Sequence, residues 1–164
     1  GDNIVWESAI INEYLDEAFP EPPLLPKEPI GRAQARIWIN FADTRLFATT
    51  GKLLYSQDPQ AQTTVLKELT EHLLFIEREG LSKISDIEPY WLGTEFSLVD
   101  VTFYPWFEQL AVLEHFRGFQ LPSGIERLKK WYSAVANRES VHSIAKSQQF
   151  YLERYARFAQ PRHA

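Results

Sequence analysis

The sequence predicts a mostly all-α fold, a bundle built around one buried helix. Apolar residues recur every three or four positions along most of the chain, as they do on the faces of helices. The segments between these patterns are short and hold most of the prolines and glycines. The clearest helix start is the pair Ser97 and Asp100, three residues apart, which has the spacing of a capping box. Together these observations predict packed helices joined by short loops.

The helix that follows Ser97 is predicted to span 98–114 and to form the centre of the bundle. Phe96 lies just before the cap and Val101 one turn inside the helix, which is the spacing of a hydrophobic staple. Apolar side chains cover most sides of this helix, as is typical of a helix buried in a core. They are Leu98, Val99, Val101, Phe103, Tyr104, Trp106, Phe107, Leu110, Val112 and Leu113. A capping role accounts for Asp100 without any catalytic one.

The first 31 residues are predicted to form a strand at 3–6, a helix at 8–18 and a linker at 19–31. A single strand has no partner for its backbone groups, so we expect either a further N-terminal segment or fraying of these residues. The proline-rich composition of 19–31 is incompatible with a helix or a central strand, so this segment is predicted to be an extended linker. It contains Pro20, Pro22, Pro23, Pro26, Pro29 and Gly31.

A long helix is predicted over 32–55, with apolar residues on two stripes. One stripe holds Ile37, Phe41, Ala48 and Tyr55, and the other holds Ala35, Ile39, Ala42, Leu46 and Leu53. Two stripes indicate two packing partners, one inside the subunit and one across a dimer interface. A helix buried deep inside one bundle would show the same pattern, and the sequence leaves both possibilities open.

Two further helix starts are predicted from capping residues. Asp58 and Pro59 open an amphipathic helix that is expected to end near Gly80. Ser123 and Glu126 are expected to form a second capping box at the start of a helix that contains a Glu126–Lys130 pair. A short helix near 141–146 and an aromatic tail close the chain.

The composition of the sequence argues against several classes of function. The 164 residues are 45% hydrophobic and carry a net charge of -5, so we expect no nucleic-acid partner. No cysteine is present, which excludes a cysteine nucleophile or zinc ligand within these residues, and the four histidines lack metal-ligand spacing. We therefore expect no metal site. We also expect no membrane insertion, since no apolar run is long enough to span a bilayer. We expect a cytoplasmic location, and the absence of cysteine is compatible with a reducing cytosol. Because the sequence contains no methionine, we expect a processed N-terminus or a piece of a longer protein.

Three groups of residues resemble the cytosolic glutathione transferase family. The first comprises Glu7-Ser8-Ala9-Ile10-Ile11, Tyr14-Leu15-Asp16-Glu17 and Pro22-Pro23-Leu24-Leu25-Pro26, which look like the end of the family's N-terminal domain and its linker. The second runs from Gly93 to Asp100 and resembles the motif that opens the family's buried central helix. The third is Trp131-Tyr132 followed by Asn137-Arg138-Glu139-Ser140, where Glu139 stands in place of a common proline.

The resemblance implies a domain organisation and a chemistry. Residues 1–18 would be a remnant of a thioredoxin-like domain, 19–31 the linker and 32–164 the all-helical C-terminal domain. The parent enzyme would conjugate or reduce small electrophiles with glutathione as co-substrate, a detoxification reaction, and would act as a homodimer. In the family a Ser, Tyr or Cys near the start of the N-terminal domain activates the thiol. Such a residue would lie upstream of Gly1, so no catalytic residue is named and this chain alone is expected to be inactive.

The resemblance also assigns candidate site residues. Glu7 and Ser8 would hold the γ-glutamyl end of glutathione, because a helix N-terminus offers free N–H groups and a positive dipole end to a carboxylate. Ser8 could instead only cap the helix. The electrophile pocket would be lined by residues of the first long helix, the central helix and the tail. These candidates are Trp38, Phe41, Arg45, Trp106, Phe150 and Tyr151. Core packing is the alternative role for the aromatic residues, and a surface ion pair for Arg45.

A second function remains open from sequence. Proteins of this architecture also serve, without catalysis, as interaction modules in transcription or translation machinery. The fold does not separate the two, because function depends on the site. A thiol-activating residue upstream would favour the enzyme.

Overall fold

The computed structural model describes residues 3–85 and 88–159, and in these ranges all regular secondary structure is helical except one isolated bridge between Tyr90 and Gly93. The helices are α1 (Ser8–Ala18), α2 (Pro29–Phe41), α3 (Ala48–Tyr55), α4 (Pro59–Phe75), α5 (Ser82–Ile84), α6 (Leu98–Glu108), α7 (Leu110–Arg117), α8 (Glu126–Ala136), α9 (Glu139–His142) and α10 (Gln148–Ala159). Two π-helical turns, π1 (Ala42–Phe47) and π2 (Ile76–Leu81), join α2 to α3 and α4 to α5. The prediction of a mostly all-α fold is confirmed.

The N-terminal segment forms its predicted helix but not its predicted strand. Residues 3–6 have no regular secondary structure, and Ile4 and Trp6 are 82% and 70% exposed. The strand is absent because no other described segment offers its backbone groups a partner. The linker ends earlier than predicted, since Pro29 already occupies the first position of α2. A proline is tolerated there because a backbone N–H at this position would have no helical hydrogen-bond partner. Asp16 Oδ1 accepts a 2.7 Å hydrogen bond from the Leu24 N–H and anchors the linker to α1.

The helix from α2 to α3 buries only one of its two apolar stripes. Ala35, Ile39, Ala42, Leu46 and Leu53 all lie in the core. On the other stripe Ile37 is 64% and Tyr55 58% exposed. A helix buried on both stripes is therefore wrong for the described chain, and the outer stripe is a surface.

The helix that opens at Asp58 does not end at Gly80. Asp58 Oδ1 accepts the Gln60 N–H at 2.9 Å, so the predicted cap is confirmed. The chain stays helical through π2 and α5 to Ile84. Gly80 serves packing instead, because a Cβ there would lie 3.1 Å from the Trp91 ring and 3.2 Å from the Trp38 ring. The glycine lets the two indoles approach the helix backbone.

The capping box of the central helix is confirmed, and Asp100 is fully buried. The Ser97 N–H and Oγ donate to Asp100 Oδ2 at 2.8 and 2.7 Å. The helix does not run unbroken to 114, since Gln109 (φ −95°, ψ 5°) separates α6 from α7. Pro105 lies one turn before this break, and its ring, which lacks an N–H, weakens the helical ladder there.

The second predicted capping box is wrong. Gly124 has a positive φ of 79°, and Ile125, rather than Ser123, precedes the first helical residue of α8. Glu77 of π2 caps α8 instead: its carboxylate oxygens accept the backbone N–H groups of Arg127 and Leu128 at 2.9 and 2.7 Å. Glu126 pairs with Lys129 at 3.0 Å and not with Lys130.

Aromatic rings fill the centre of the bundle around α6. Trp91 stacks on Phe103 with ring centroids 4.0 Å apart and meets Trp131 edge-on at 5.5 Å. Phe107 contacts Trp131 at 5.4 Å. In the described ranges no helix combines the length and the apolar composition that a membrane span requires.

Candidate functional site

The start of α1 has an unusual backbone. Glu7, the residue before the helix, has φ 68° and ψ 119°, and it is the sole non-glycine residue with positive φ in the described chain. Such a conformation costs a residue with a Cβ about 1–3 kcal/mol and tends to occur at functional sites. Ser8 follows as the first helical residue, is exposed, and makes no capping hydrogen bond in the described residues. The first N–H groups of α1 are thus presented without a side-chain partner.

A second carboxyl group lies close to Glu7. Burial raises the pKa of Asp43, in π1, above its ordinary value, and the charge of Glu7 adds to the shift. The start of α1 therefore combines a positive helix end with two neighbouring carboxyl groups. Such a place suits a ligand that carries a carboxylate and an ammonium group side by side.

The six candidates for the electrophile pocket do not converge on one place. Trp38 is buried and packs with Phe41, at 5.6 Å between ring centroids, and with Phe75 at 5.8 Å. Phe41 and Arg45 share an open surface depression with His72 and Phe75 on α4. The structure brings these two candidates together but leaves Trp106 elsewhere.

Trp106 lines a cavity of about 190 Å³ between α3, α6, α7 and α10. Its indole Nε1 donates to Thr50 Oγ1 at 2.7 Å, which itself donates to the Leu46 carbonyl oxygen at 2.8 Å. Across the cavity the Tyr155 hydroxyl donates to Gln109 Oε1 at 2.7 Å. Apart from these polar groups the lining is apolar. The full lining comprises Phe47, Thr50, Gly51, Leu54, Tyr55, Trp106, Gln109, Val112, Leu113 and Tyr155.

The two candidates in the tail lie outside the Trp106 cavity. The Tyr151 hydroxyl donates to Glu108 Oε2 at 2.6 Å, and the ring is nearly buried. Phe150 packs on Tyr151 with ring centroids 5.3 Å apart. Sequence reasoning missed Tyr155, which lies one helical turn after Tyr151 on α10 and does line the cavity. The helical spacing of these tyrosines was the available signal.

His72 belongs to a half-buried polar group behind Arg45. Its Nε2 lies 3.2 Å from Thr49 Oγ1, and Thr49 Oγ1 donates to Glu68 Oε1 at 3.2 Å. Burial lowers the pKa of His72, while the nearby Glu68 carboxylate opposes this shift. The folded protein therefore favours the neutral imidazole.

The protein is expected to lose stability as the pH falls through the titration of His72. Because the folded pKa is lowered, the contribution is complete above the unfolded value of about 6.5 and is lost as the pH falls through the folded pKa. Thermal melts between about pH 8 and about pH 5 measure this slope. The slope should flatten in His72→Gln and persist in the control His115→Gln, an exposed histidine on α7. Equal slopes in all three proteins would contradict the assignment.

Comparisons with known proteins agree with this architecture. The family model for the glutathione S-transferase C-terminal domain matches residues 59–134. A probable glutathione S-transferase of Glycine max is 31% identical, and glutathione S-transferase U25 of Arabidopsis thaliana is 35% identical; each match covers 85% of this chain and 61% of the relative. The chain thus spans about three fifths of the length of these curated relatives.

Solved structures give the same result. The Tau class glutathione S-transferase from mango, Mangifera indica, superposes with a TM-score of 0.85 at 25% identity, covering 96% of this chain and 73% of that one. Rice GST1 in complex with glutathione superposes at 0.76 with 26% identity, covering 93% and 68%. The fold is that of the all-α C-terminal domain of glutathione transferases. The chain belongs to the glutathione S-transferase family, as the resemblance predicted.

Proposed function

We propose that the protein conjugates or reduces small electrophiles with glutathione and that this chain supplies one end of the glutathione site and a pocket for the electrophile. The observation that carries the proposal is the positive-φ turn at Glu7, which presents the exposed first turn of α1 and the Ser8 hydroxyl to a ligand. The α-carboxylate of the γ-glutamyl group would accept from Ser8. Its α-ammonium group would face the Glu7 and Asp43 carboxyl groups.

The Trp106 cavity is the proposed electrophile pocket. Phe47, in its wall, follows Asp43 by one helical turn, which is about 6 Å along the helix axis. We infer that a glutathione held at Glu7 and Ser8 extends past Asp43 toward this wall. Apolar rings would bind the body of an electrophile. The hydroxyl oxygens of Thr50 and Tyr155, whose protons are donated within the protein, would accept a hydrogen bond from its polar group.

Glutathione titration of the chain, followed by NMR, tests the glutathione site. We expect shifts confined to the first turn of α1 and its neighbours, and weaker binding in Ser8→Ala. Ser147→Ala is the matched control, because Ser147 Oγ accepts the Phe150 N–H at 3.2 Å at the start of another helix. Equal binding by both variants would contradict the assignment, and absence of binding to the native chain would favour the interaction-module alternative.

We expect no catalysis by the 164 residues alone, since we assign no thiol-activating residue within them. Glutathione with 1-chloro-2,4-dinitrobenzene should give no turnover above the uncatalysed rate in a spectrophotometric assay. Measurable turnover would show that a residue of this chain activates the thiol.

We also propose that the outer stripe of α2 forms a homodimer contact. Ile37 is 64% exposed, and Leu74 and Phe75 on the adjacent α4 are 36% and 38% exposed. Together with Phe41 they form an apolar surface of the kind that marks interaction sites. Sedimentation equilibrium should show a dimer that Ile37→Glu dissociates. Ile144→Glu, at a position 72% exposed beyond α9, should leave the dimer intact; a monomeric native protein would contradict the proposal.

A further inference from the structure

The wall of the Trp106 cavity has hydrogen-bonding groups that the protein itself does not use. The Tyr155 hydroxyl donates its proton to Gln109 Oε1 at 2.7 Å, so the Tyr155 oxygen is left as an acceptor. The Nε2 group of Gln109 has two donors, and no described residue accepts from them. Because Oε1 and Nε2 belong to one planar amide, the free donor of Gln109 lies beside the free acceptor of Tyr155.

The other polar groups of the lining are satisfied by the protein or by water. Trp106 Nε1 donates to Thr50 Oγ1 at 2.7 Å, and the Thr50 hydroxyl donates to a backbone carbonyl oxygen at 2.8 Å. The Tyr55 side chain is 58% exposed, so water can bond to its hydroxyl. The half-buried pair of Gln109 and Tyr155 is therefore the place where a bound molecule gains most from a matching polar group.

The lining also restricts the charge and the size of a ligand. None of the ten described residues that line the Trp106 cavity is charged. A carboxylate or ammonium group would lose its hydration there and find no opposite charge. The volume of about 190 Å³ lies below the range of about 300–1,000 Å³ that is typical for drug-sized molecules. The cavity therefore suits a small, uncharged molecule with a donor and an acceptor side by side.

We propose that the electrophiles of this pocket are α,β-unsaturated primary carboxamides and that Gln109 and Tyr155 determine this specificity. A primary carboxamide has one N–H on the same side as its carbonyl oxygen. The oxygen accepts from Gln109 Nε2, and this N–H donates to the Tyr155 oxygen. A secondary amide in its usual trans form turns its N–H away from the carbonyl oxygen, and an ester has none. This inference rests on the proposed electrophile pocket and names its substrate class.

The reaction of such a compound with glutathione is an addition without a leaving group. The thiolate sulfur forms a bond to the β-carbon, and the electron pair of the alkene moves onto the carbonyl oxygen. The α-carbon then takes up a proton from water, which balances the proton that the thiol has lost. Negative charge develops on the carbonyl oxygen, so the Gln109 Nε2 donor binds this oxygen more strongly in the transition state than in the free substrate.

Binding of cinnamamide to the chain tests the specificity without any turnover. Cinnamamide is an uncharged, α,β-unsaturated primary carboxamide with one ring. Methyl cinnamate has the same ring, alkene and carbonyl group but no N–H. Titrations followed through the Trp106 indole N–H signal in proton–nitrogen correlation NMR spectra report binding in this cavity. The native chain should bind cinnamamide roughly tenfold more tightly, because the ester leaves the Tyr155 oxygen without a donor.

The double variant Gln109→Leu/Tyr155→Phe removes the donor and the acceptor together, so neither residue can replace the other. It should bind cinnamamide and methyl cinnamate with equal affinity. The matched control Tyr14→Phe/Gln149→Leu makes the same two changes at exposed positions on α1 and α10 and should keep the tenfold preference. Thermal melts first show that each variant is folded. If the double variant does not fold, the comparison of the two compounds on the native chain still decides.

Two results would overturn the amide specificity and leave the electrophile pocket in place. One is equal affinity of the native chain for both compounds, and the other is a preference that survives in the folded double variant. A Trp106 signal that neither compound shifts would contradict the pocket itself and this inference with it. Glutathione takes part in none of these titrations, so they are independent of the proposed glutathione site at Glu7 and Ser8.

Discussion

Replacing Asp100 by alanine is expected to lower the free energy of unfolding by about 3–5 kcal/mol, the largest effect of any single substitution considered. The carboxylate does more than cap α6. Its Oδ1 accepts the Trp91 backbone N–H at 2.9 Å and the Trp131 indole N–H at 2.6 Å, so it joins the preceding loop and α8 to the central helix. Burial raises the pKa of Asp100, and the hydrogen bonds from Trp131, Ser97 and Trp91 oppose this shift.

The size of the effect follows from the donors that the variant leaves behind. The Trp91 and Ser97 N–H groups and the Trp131 indole N–H can only donate, and each buried donor without an acceptor costs about 1–3 kcal/mol. Chemical denaturation followed by circular dichroism measures the loss. Asp100→Asn keeps the shape but turns an amide N–H toward Ser97, so it should lie between the native chain and Asp100→Ala.

Asp58→Ala is the matched control for the capping role alone. Asp58 is exposed and accepts one backbone hydrogen bond, from Gln60 at 2.9 Å, so its loss should cost about 1 kcal/mol. If Asp100→Ala costs no more than Asp58→Ala, the Asp100 network contributes nothing beyond a simple helix cap.

Replacing Arg127 by methionine is expected to cost about 2–4 kcal/mol, because the buried guanidinium satisfies carbonyl groups of the segment before Trp91. Arg127 is 5% exposed. Its Nε donates to the Ser85 carbonyl oxygen at 2.7 Å, and its Nη2 donates to Ser85 Oγ at 3.0 Å and to the Tyr90 carbonyl oxygen at 3.2 Å. Nη2 also donates to the Glu88 carbonyl oxygen.

Methionine preserves the apolar stem but removes the guanidinium donor from the Ser85 and Glu88 carbonyl oxygens, whereas the Tyr90 carbonyl oxygen still accepts from Ser85 Oγ at 2.8 Å. Denaturation curves should shift to lower denaturant, and hydrogen exchange at the Trp91 amide should accelerate because the segment loosens around it. Arg78→Met is the control: that side chain is 69% exposed and pairs with Glu79 at the surface, where ion pairs contribute little. Equal midpoints for the two variants would contradict the role of Arg127.

Helix starts were predictable where the capping residues are neighbours in sequence. Ser97 with Asp100 and Asp58 with Pro59 act within one turn, so the sequence contains the whole signal. The cap of α8 could not be found in this way, since its donors bond to Glu77, 50 and 51 residues away. The local pair Ser123 and Glu126 was the wrong interpretation for the same reason.

The candidate site likewise has features that the sequence predicted and features that are visible only in the structure. The residue pair Glu7 and Ser8 was identified from a family resemblance, but the positive φ of Glu7 is visible only in the structure. The Trp106 cavity depends on a hydrogen bond to Thr50, 56 residues earlier, which no sequence spacing indicates. The tail candidates were placed one turn away from the residue that lines the cavity, because aromatic residues recur on successive turns of α10.

The sequence by itself determined the helical class, the buried central helix, the caps of α4 and α6 and the family, because these follow from periodicity and from contacts within a few residues. Only the tertiary structure decided which stripe of the α2–α3 helix faces the core, why Gly80 continues a helix rather than ending it, and how α3, α6, α7 and α10 enclose the Trp106 cavity. These features depend on side chains that are distant in sequence and meet only when the helices pack. The local spacing of residues carries no information about such long-range side-chain contacts.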